Sequence, residues 1–115
     1  MQRYVEAWES RDVNAMVAIL AEEVTFAMPP FPGWFHGRDA LIAFITGTGT
    51  PALRHLVTRA NGQPAIAWYL WDAQRESHIA VSLEVLALEG AHVREITAFA
   101  LPELFPQFRL PAELN

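Results

Sequence analysis

SHIAVSLEVLALEG, Ser77 to Gly90, is the stretch whose reading decides the fold. Ile79, Val81, Leu83 and Val85 alternate with Ala80, Ser82, Glu84 and Leu86, the period of a β-strand rather than a helix. Glu84 is a charged side chain in the middle of this run. Both faces of the strand are therefore apolar, and each needs a cover. On either side the same pattern recurs in LRHLVTRA, AIAWYLWD and HVREITAFA, separated by the turn-forming NGQP, DAQRES and EGA. Four strands joined as an antiparallel meander follow from this spacing.

Upstream the period changes to that of helices. In RYVEAWES, the residues Tyr4, Val5 and Trp8 recur at three and four, on one face of a short helix ending near Ser10 and Arg11. Asp12 is placed to cap a second helix with the stripe Val13, Met16, Val17 and Leu20. Pro29 and Pro30 forbid helix beyond a short extended piece, Val24 to Met28. Gly37 opens a third helix with the stripe Leu41, Ile42 and Ile45, ending at the breaker run Gly47 to Pro51. The tail LPELFPQFRLPAEL carries three prolines and cannot be a long helix; Leu104, Phe105, Phe108 and Leu110 pin it to the body. Helices first and an antiparallel sheet after give an α+β domain spanning residues 1–115: three helices on one face of a curved sheet of about four strands, with a short extra strand.

Three short helices cover only one side of such a sheet. The side turned away from them is assigned Ile66, Trp68, Leu70, Ile79, Val81, Leu83 and Val85, an apolar face too large to leave in water. Homodimerisation covers it most simply; the alternative is that the C-terminal tail folds back over it.

Composition narrows the function. With 52% hydrophobic residues in 115, the chain is large enough for one core. No apolar run approaches a membrane span and no basic-then-apolar leader opens the chain, so a cytoplasmic location is expected. The absence of cysteine excludes disulfides, thiolate nucleophiles and thiolate metal sites. At a net charge of −5, with eight arginines scattered singly and no lysine, direct contact with nucleic acid is not expected. His36, His55, His78 and His92 lack metal spacing, GTGTP lacks the lysine of a phosphate loop, and no serine sits in a nucleophile elbow, so no metal or cofactor is expected. Arg38 and Arg59 are assigned to turns or ion pairs.

The helix-facing side holds the candidate site. There Glu84 is placed among Ala67, Tyr69, Ser82 and Leu86, surroundings that raise a carboxyl pKa, with Tyr4 facing it from the first helix. A phenol and a protonated acid are two donors able to converge on one ligand oxygen. The stretch FAMPPFPGWFHGR sets Phe26, Met28, Phe31 and Trp34 in a proline-stiffened loop, expected to wall an apolar pocket with Trp8, Trp71 and Ala98.

The opening MQRYVEAWESRDVNAMVAILAEEVTF, the proline loop and HGRDALIAFI resemble the ketosteroid isomerase and SnoaL-like group, whose cone-shaped fold is shared with nuclear transport factor 2. The resemblance implies that Tyr4 and Glu84 occupy the oxyanion-hole positions. It also implies that the general base, an aspartate just before the loop proline in the isomerases, is replaced by Met28. MPPFPGWFHGRDAL, TRANGQPAIAWY and ITAFALPELFPQFRLP together are similar to the SnoaL-like domain at the C-terminal end of some extracytoplasmic-function sigma factors. That likeness implies a regulatory domain that binds a small ligand or docks to the sigma regions and RNA polymerase, the helical sigma regions lying outside this chain. The competing expectation is a small isomerase, cyclase or hydratase for a hydrophobic carbonyl or polyketide-like substrate, with Tyr4 and Glu84 catalytic.

Overall fold

The four-strand meander is the frame to which everything else attaches. The computed structural model describes residues 2–47 and 52–115. Its strands β3 (Leu53–Ala60), β4 (Gln63–Asp72), β5 (Ser77–Glu89) and β6 (His92–Phe99) pair antiparallel in sequence order. The first turn is tight because Asn61 and Gly62 both take positive φ, 54° and 78°, which matches the twist of a two-residue hairpin.

Upstream lie helices α1 (Gln2–Ser10) and α2 (Val13–Ile19). Asp12 caps α2, its side chain accepting from the Ala15 amide at 3.2 Å. This helix is shorter than its apolar stripe suggests. Leu20 leaves it in an extended conformation, φ −93° and ψ 136°, and opens β1 (Leu20–Ala27), so Val13 and Val17 stay exposed while Met16 and Ile19 are buried. β1 pairs antiparallel with the short β2 (Trp34–His36) and parallel with β6, making the sheet mixed rather than purely antiparallel. The third helix, α3 (Arg38–Thr46), presents Leu41, Ile42 and Ile45 to the core. Of the breaker run that follows, only Gly47 falls within the described residues.

The strand order is β2-β1-β6-β5-β4-β3, with the helices on one side. On the other side the tail turns through a 3-10 segment, Pro102–Phe108, and adds a two-residue strand β7 (Glu113–Leu114) against the start of β5. Phe105, fully buried, meets the Tyr69 ring edge-on at 5.4 Å, and Phe108, Leu110 and Leu114 pack around it. The Tyr69 hydroxyl donates to the Pro111 carbonyl at 2.8 Å, and the Ser77 hydroxyl to Leu114 at 2.9 Å.

This tail corrects the expected exposed face. Residues directly opposite in a ladder share a face, and Ile66 lies opposite Glu84 while Trp68 lies opposite Ser82. Ile66 and Trp68 therefore point to the helices, and Leu70 goes with them, bringing Ile79, its partner. Ala65, Ala67 and Tyr69 point to the tail, as does Leu83 opposite Ala67. A bulge at Val81 shifts the register between Trp68 and Tyr69, moving Val81 to the helix-side core and Ala80 to the tail side. Of the residues assigned to a dimer face, only Leu83 and Val85 lie on the tail side, where Phe105 and Phe108 cover them. The chain's own C-terminal segment packs on the tail side of the sheet, against Leu83 and Val85.

Candidate functional site

A cavity of about 270 Å³ opens between the sheet and the helices. Its floor comes from the sheet: Trp68 and Leu70 on β4, Val81, Ser82 and Glu84 on β5, and Ala98 on β6. Trp8 and Arg11 close it from the α1 side, Phe44 and Ile45 from α3, and Phe26, Met28 and Leu53 complete the wall.

At its base the Tyr4 hydroxyl donates a 2.6 Å hydrogen bond to Glu84 Oε1, both groups buried. The Tyr4 ring stacks on Trp8 at 4.5 Å and 22°, fixing it within α1. Burial pushes the Glu84 carboxyl above its ordinary range; the Tyr4 hydrogen bond, the nearby Trp68 indole and the charge of Arg11 pull it partly back. Tyr4 is raised well above an ordinary phenol, first by burial and then by Glu84, so it stays protonated. The Trp68 indole N–H, buried beside the carboxyl, is the group through which that side chain acts on it. Arg11 sits in the α1–α2 turn at φ 56° and donates to the Trp8 carbonyl at 2.6 Å.

The expected constellation is thus partly assembled. Trp8, Phe26, Met28, Ser82, Glu84 and Ala98 share the cavity wall, and Tyr4 stands behind it. Tyr4 and Glu84 bond to each other, so the phenol's proton is committed to the carboxyl rather than offered beside it to a ligand. Phe31 and Trp34 are largely exposed, at 62% and 67%, and line a neighbouring outer pocket of about 390 Å³. The two hollows have Phe26, Met28 and Phe44 in common, and Phe44 stacks on Phe35 at 4.6 Å. Leu86 is buried in the helix-side core and does not reach the cavity. Ala67, Tyr69 and Trp71 are on the wrong side: the strand's phase turns Ala67 and Tyr69 to the tail, and Trp71, opposite His78, follows them to an exposed position.

Arg11, Phe44, Ile45, Leu53, Trp68, Leu70 and Val81 are the wall residues that the sequence reading missed. Trp68 alternates with Ala67 in a strand apolar on both faces, so only the pairing of Ile66 with Glu84 shows which side it takes. Arg59 holds its turn, donating to Gly62 at 3.0 Å, whereas Arg38 Nε is buried without a partner. Among the described residues no three His, Asp or Glu side chains converge as metal ligands, and no helix is long and apolar enough to cross a membrane.

Comparison with known proteins adds to this geometry. A family model described as a SnoaL-like domain matches residues 1–99. Over 118 residues the chain is 33% identical to the ECF RNA polymerase sigma factor SigG of Mycobacterium tuberculosis, in two strains. That match takes in 99% of this chain but 31% of the sigma factor, so the chain spans about a third of the curated relatives' length. Among solved structures, an NTF2-like protein from Cytophaga hutchinsonii superposes with a TM-score of 0.64 at 14% identity, over 93% of this chain and 89% of its own. A protein with a ketosteroid isomerase-like fold from Catenulispora acidiphila, solved with trimethylamine, gives 0.62 at 15% identity, over 96% and 92%. At such identities the likeness establishes the fold alone.

Proposed function

The chain belongs to the SnoaL-like domain family, and from that premise we propose that it is a regulatory domain of an extracytoplasmic-function sigma factor, taking up a small apolar molecule in its helix-side cavity. The observation that carries the reading is the content of the cavity wall. Aromatic and aliphatic side chains surround one buried, hydrogen-bonded carboxyl, and Met28 stands at the loop position where the resemblance to isomerases calls for a base. A site with apolar walls and no base at that place favours holding a molecule over deprotonating it. The sigma-factor assignment is supported by identity along 99% of the chain. An acidic domain, net charge −5, leaves promoter DNA to other regions and meets the sigma regions or RNA polymerase, in the cytoplasm. Occupancy regulates only if the ligand binds the docked and undocked states unequally.

A second reading is a small isomerase, cyclase or hydratase using Glu84 as its acid. The 2.6 Å bond to Tyr4 and the raised carboxyl favour it. Under that reading Glu84→Gln abolishes turnover while the fold is retained.

The test is promoter-specific transcription by RNA polymerase with the full sigma factor that carries this segment, against the same factor with the segment deleted. A changed output supports regulation; unchanged output at all promoters tried refutes it.

A further inference from the structure

The tail covers only part of the outer face of the sheet. Among the described residues, the apolar cluster around Phe105 draws on β3, β4 and β5 and takes no residue from β6, β1 or β2. The register carries the same face across those three strands: Val85 lies opposite Thr97, Thr97 opposite Ala27, and Ala27 opposite Trp34. On this uncovered stretch Trp34 is 67% exposed, more than any other large apolar side chain among the described residues. A hollow of about 290 Å³ runs from Trp34 over Ala27 to Glu95 and Thr97. It shares those last two residues with a second hollow, of about 260 Å³, that continues over Val85 and Ala87 to Leu104 and Phe108 of the tail. Carboxylates border the Trp34 end. Glu23 lies 2.8 Å from His36, whose ring is 6.2 Å from that of Trp34. Glu95 shares the hollow with Trp34 and meets Arg94 only at 3.9 Å, an arginine that is also 4.0 Å from Glu89. Past His36, the next hollow sets Glu22 and Asp39 against Arg38.

We infer that this stretch receives a basic amphipathic helix of a protein partner, with an arginine or lysine on the Trp34 indole beside Glu23 and Glu95 and apolar side chains in the hollow over Ala27 and Thr97. An exposed indole attracts a cation through its ring face, and neighbouring carboxylates strengthen that preference. The same carboxylates repel nucleic acid and anionic lipid, whose phosphates seek a basic surface. The hollows cross the strands, from β2 through β1 and β6 to β5, so their floor offers side chains rather than free backbone groups, and a helix suits them better than an added strand. Four adjacent strands span about 15 Å, the length of about ten helical residues. The inference deepens the proposed function and rests on its docking to sigma regions, for which it names the face and the kind of segment.

The experiment titrates the whole chain with two helical peptides of about twelve residues, one of leucine and lysine and one of leucine and glutamate in the same amphipathic pattern. The indole N–H resonances of the four tryptophans are followed by two-dimensional NMR. The lysine peptide is expected to bind roughly tenfold more tightly than the glutamate peptide, and less so as salt is added. It should shift the Trp34 indole and leave in place that of Trp71, which is 44% exposed but lies outside both hollows. Trp34→Ala should weaken the lysine peptide roughly tenfold, as should Glu23→Gln combined with Glu95→Gln, whereas Val57→Ala, at an exposed position on β3, should not. Equal affinity for the two peptides overturns the basic partner, and equal shifts at Trp34 and Trp71 overturn the site. No binding of either peptide overturns both. A dimer in sedimentation that Trp34→Ala dissociates assigns the face to a second copy and overturns the helix. Failure here is distinct from failure of the proposed function: a lysine peptide seated at Trp34, with transcription unchanged on deletion, refutes the sigma-factor reading and supports this surface.

Discussion

Tyr4 in the first helix donates a 2.6 Å hydrogen bond to Glu84 in the middle of the longest strand, tying together residues eighty apart in the chain. The bond fastens α1 onto the sheet at the base of the cavity. Tyr4→Phe removes the donor and leaves a buried carboxyl short of a partner, so it should destabilise the fold by about 1–3 kcal/mol. Urea unfolding at neutral pH measures this; a loss within error of zero would mean that the pair does not hold α1 in place.

Glu84 also gives the stability a pH dependence. Its folded-state pKa lies above the unfolded value, so the folded form binds the proton more tightly, and stability falls as pH rises from about 4.3 through the folded pKa. Glu84→Gln cannot ionise and should flatten that part of the profile. Denaturation midpoints compared between pH 4 and pH 8 test the sign; a wild type that gains stability from Glu84 over this window would contradict it.

The tail should matter as much as a core element. Phe105→Ala empties the fully buried position against Tyr69 and should cost about 3–5 kcal/mol, with the tail side of the sheet exposed as a result. Thermal unfolding reads the first effect and sedimentation the second, since uncovering Leu83 and Val85 should promote self-association. A variant that stays as stable as wild type would mean that the tail is a loose cover.

A smaller effect belongs to Asp12, whose side chain caps α2. Asp12→Ala should lower stability by about 1 kcal/mol in the same urea assay, whereas Asp12→Ser should restore most of it. Failure of Ser to rescue would place the loss elsewhere than in the cap.

The parts of the fold legible in the sequence were those with a single consistent period. Leu53–Ala60 is closed by Asn61-Gly62, so its C-terminal end reads directly. Tyr4 and Glu84 could be paired because Glu84 is a charge in the middle of an apolar strand and Tyr4 lies on the buried stripe of α1. What failed was phase. Residues 65–71 are apolar on both faces, so alternation separates two sets without saying which faces the helices, and Trp68 was exchanged for Tyr69. The bulge at Val81 reversed the phase again partway along β5, a backbone event with no side-chain signature. The parallel pairing of β1 with β6 joins segments far apart in sequence and leaves no local trace. Arg11 was passed over because it sits in a turn between helices, where a charge is ordinarily solvated.

The central claim is that the helix-side cavity is a binding site, and filling it is the most direct test. Ser82 lies on the cavity wall, half-buried, so Ser82→Phe should occupy the space without breaking the sheet. Equilibrium dialysis of 2-acetonaphthone against the wild-type chain should then give saturable one-to-one binding that Ser82→Phe abolishes at unchanged unfolding midpoint. Absence of binding to the wild type, or equal binding to a folded Ser82→Phe variant, would contradict the account.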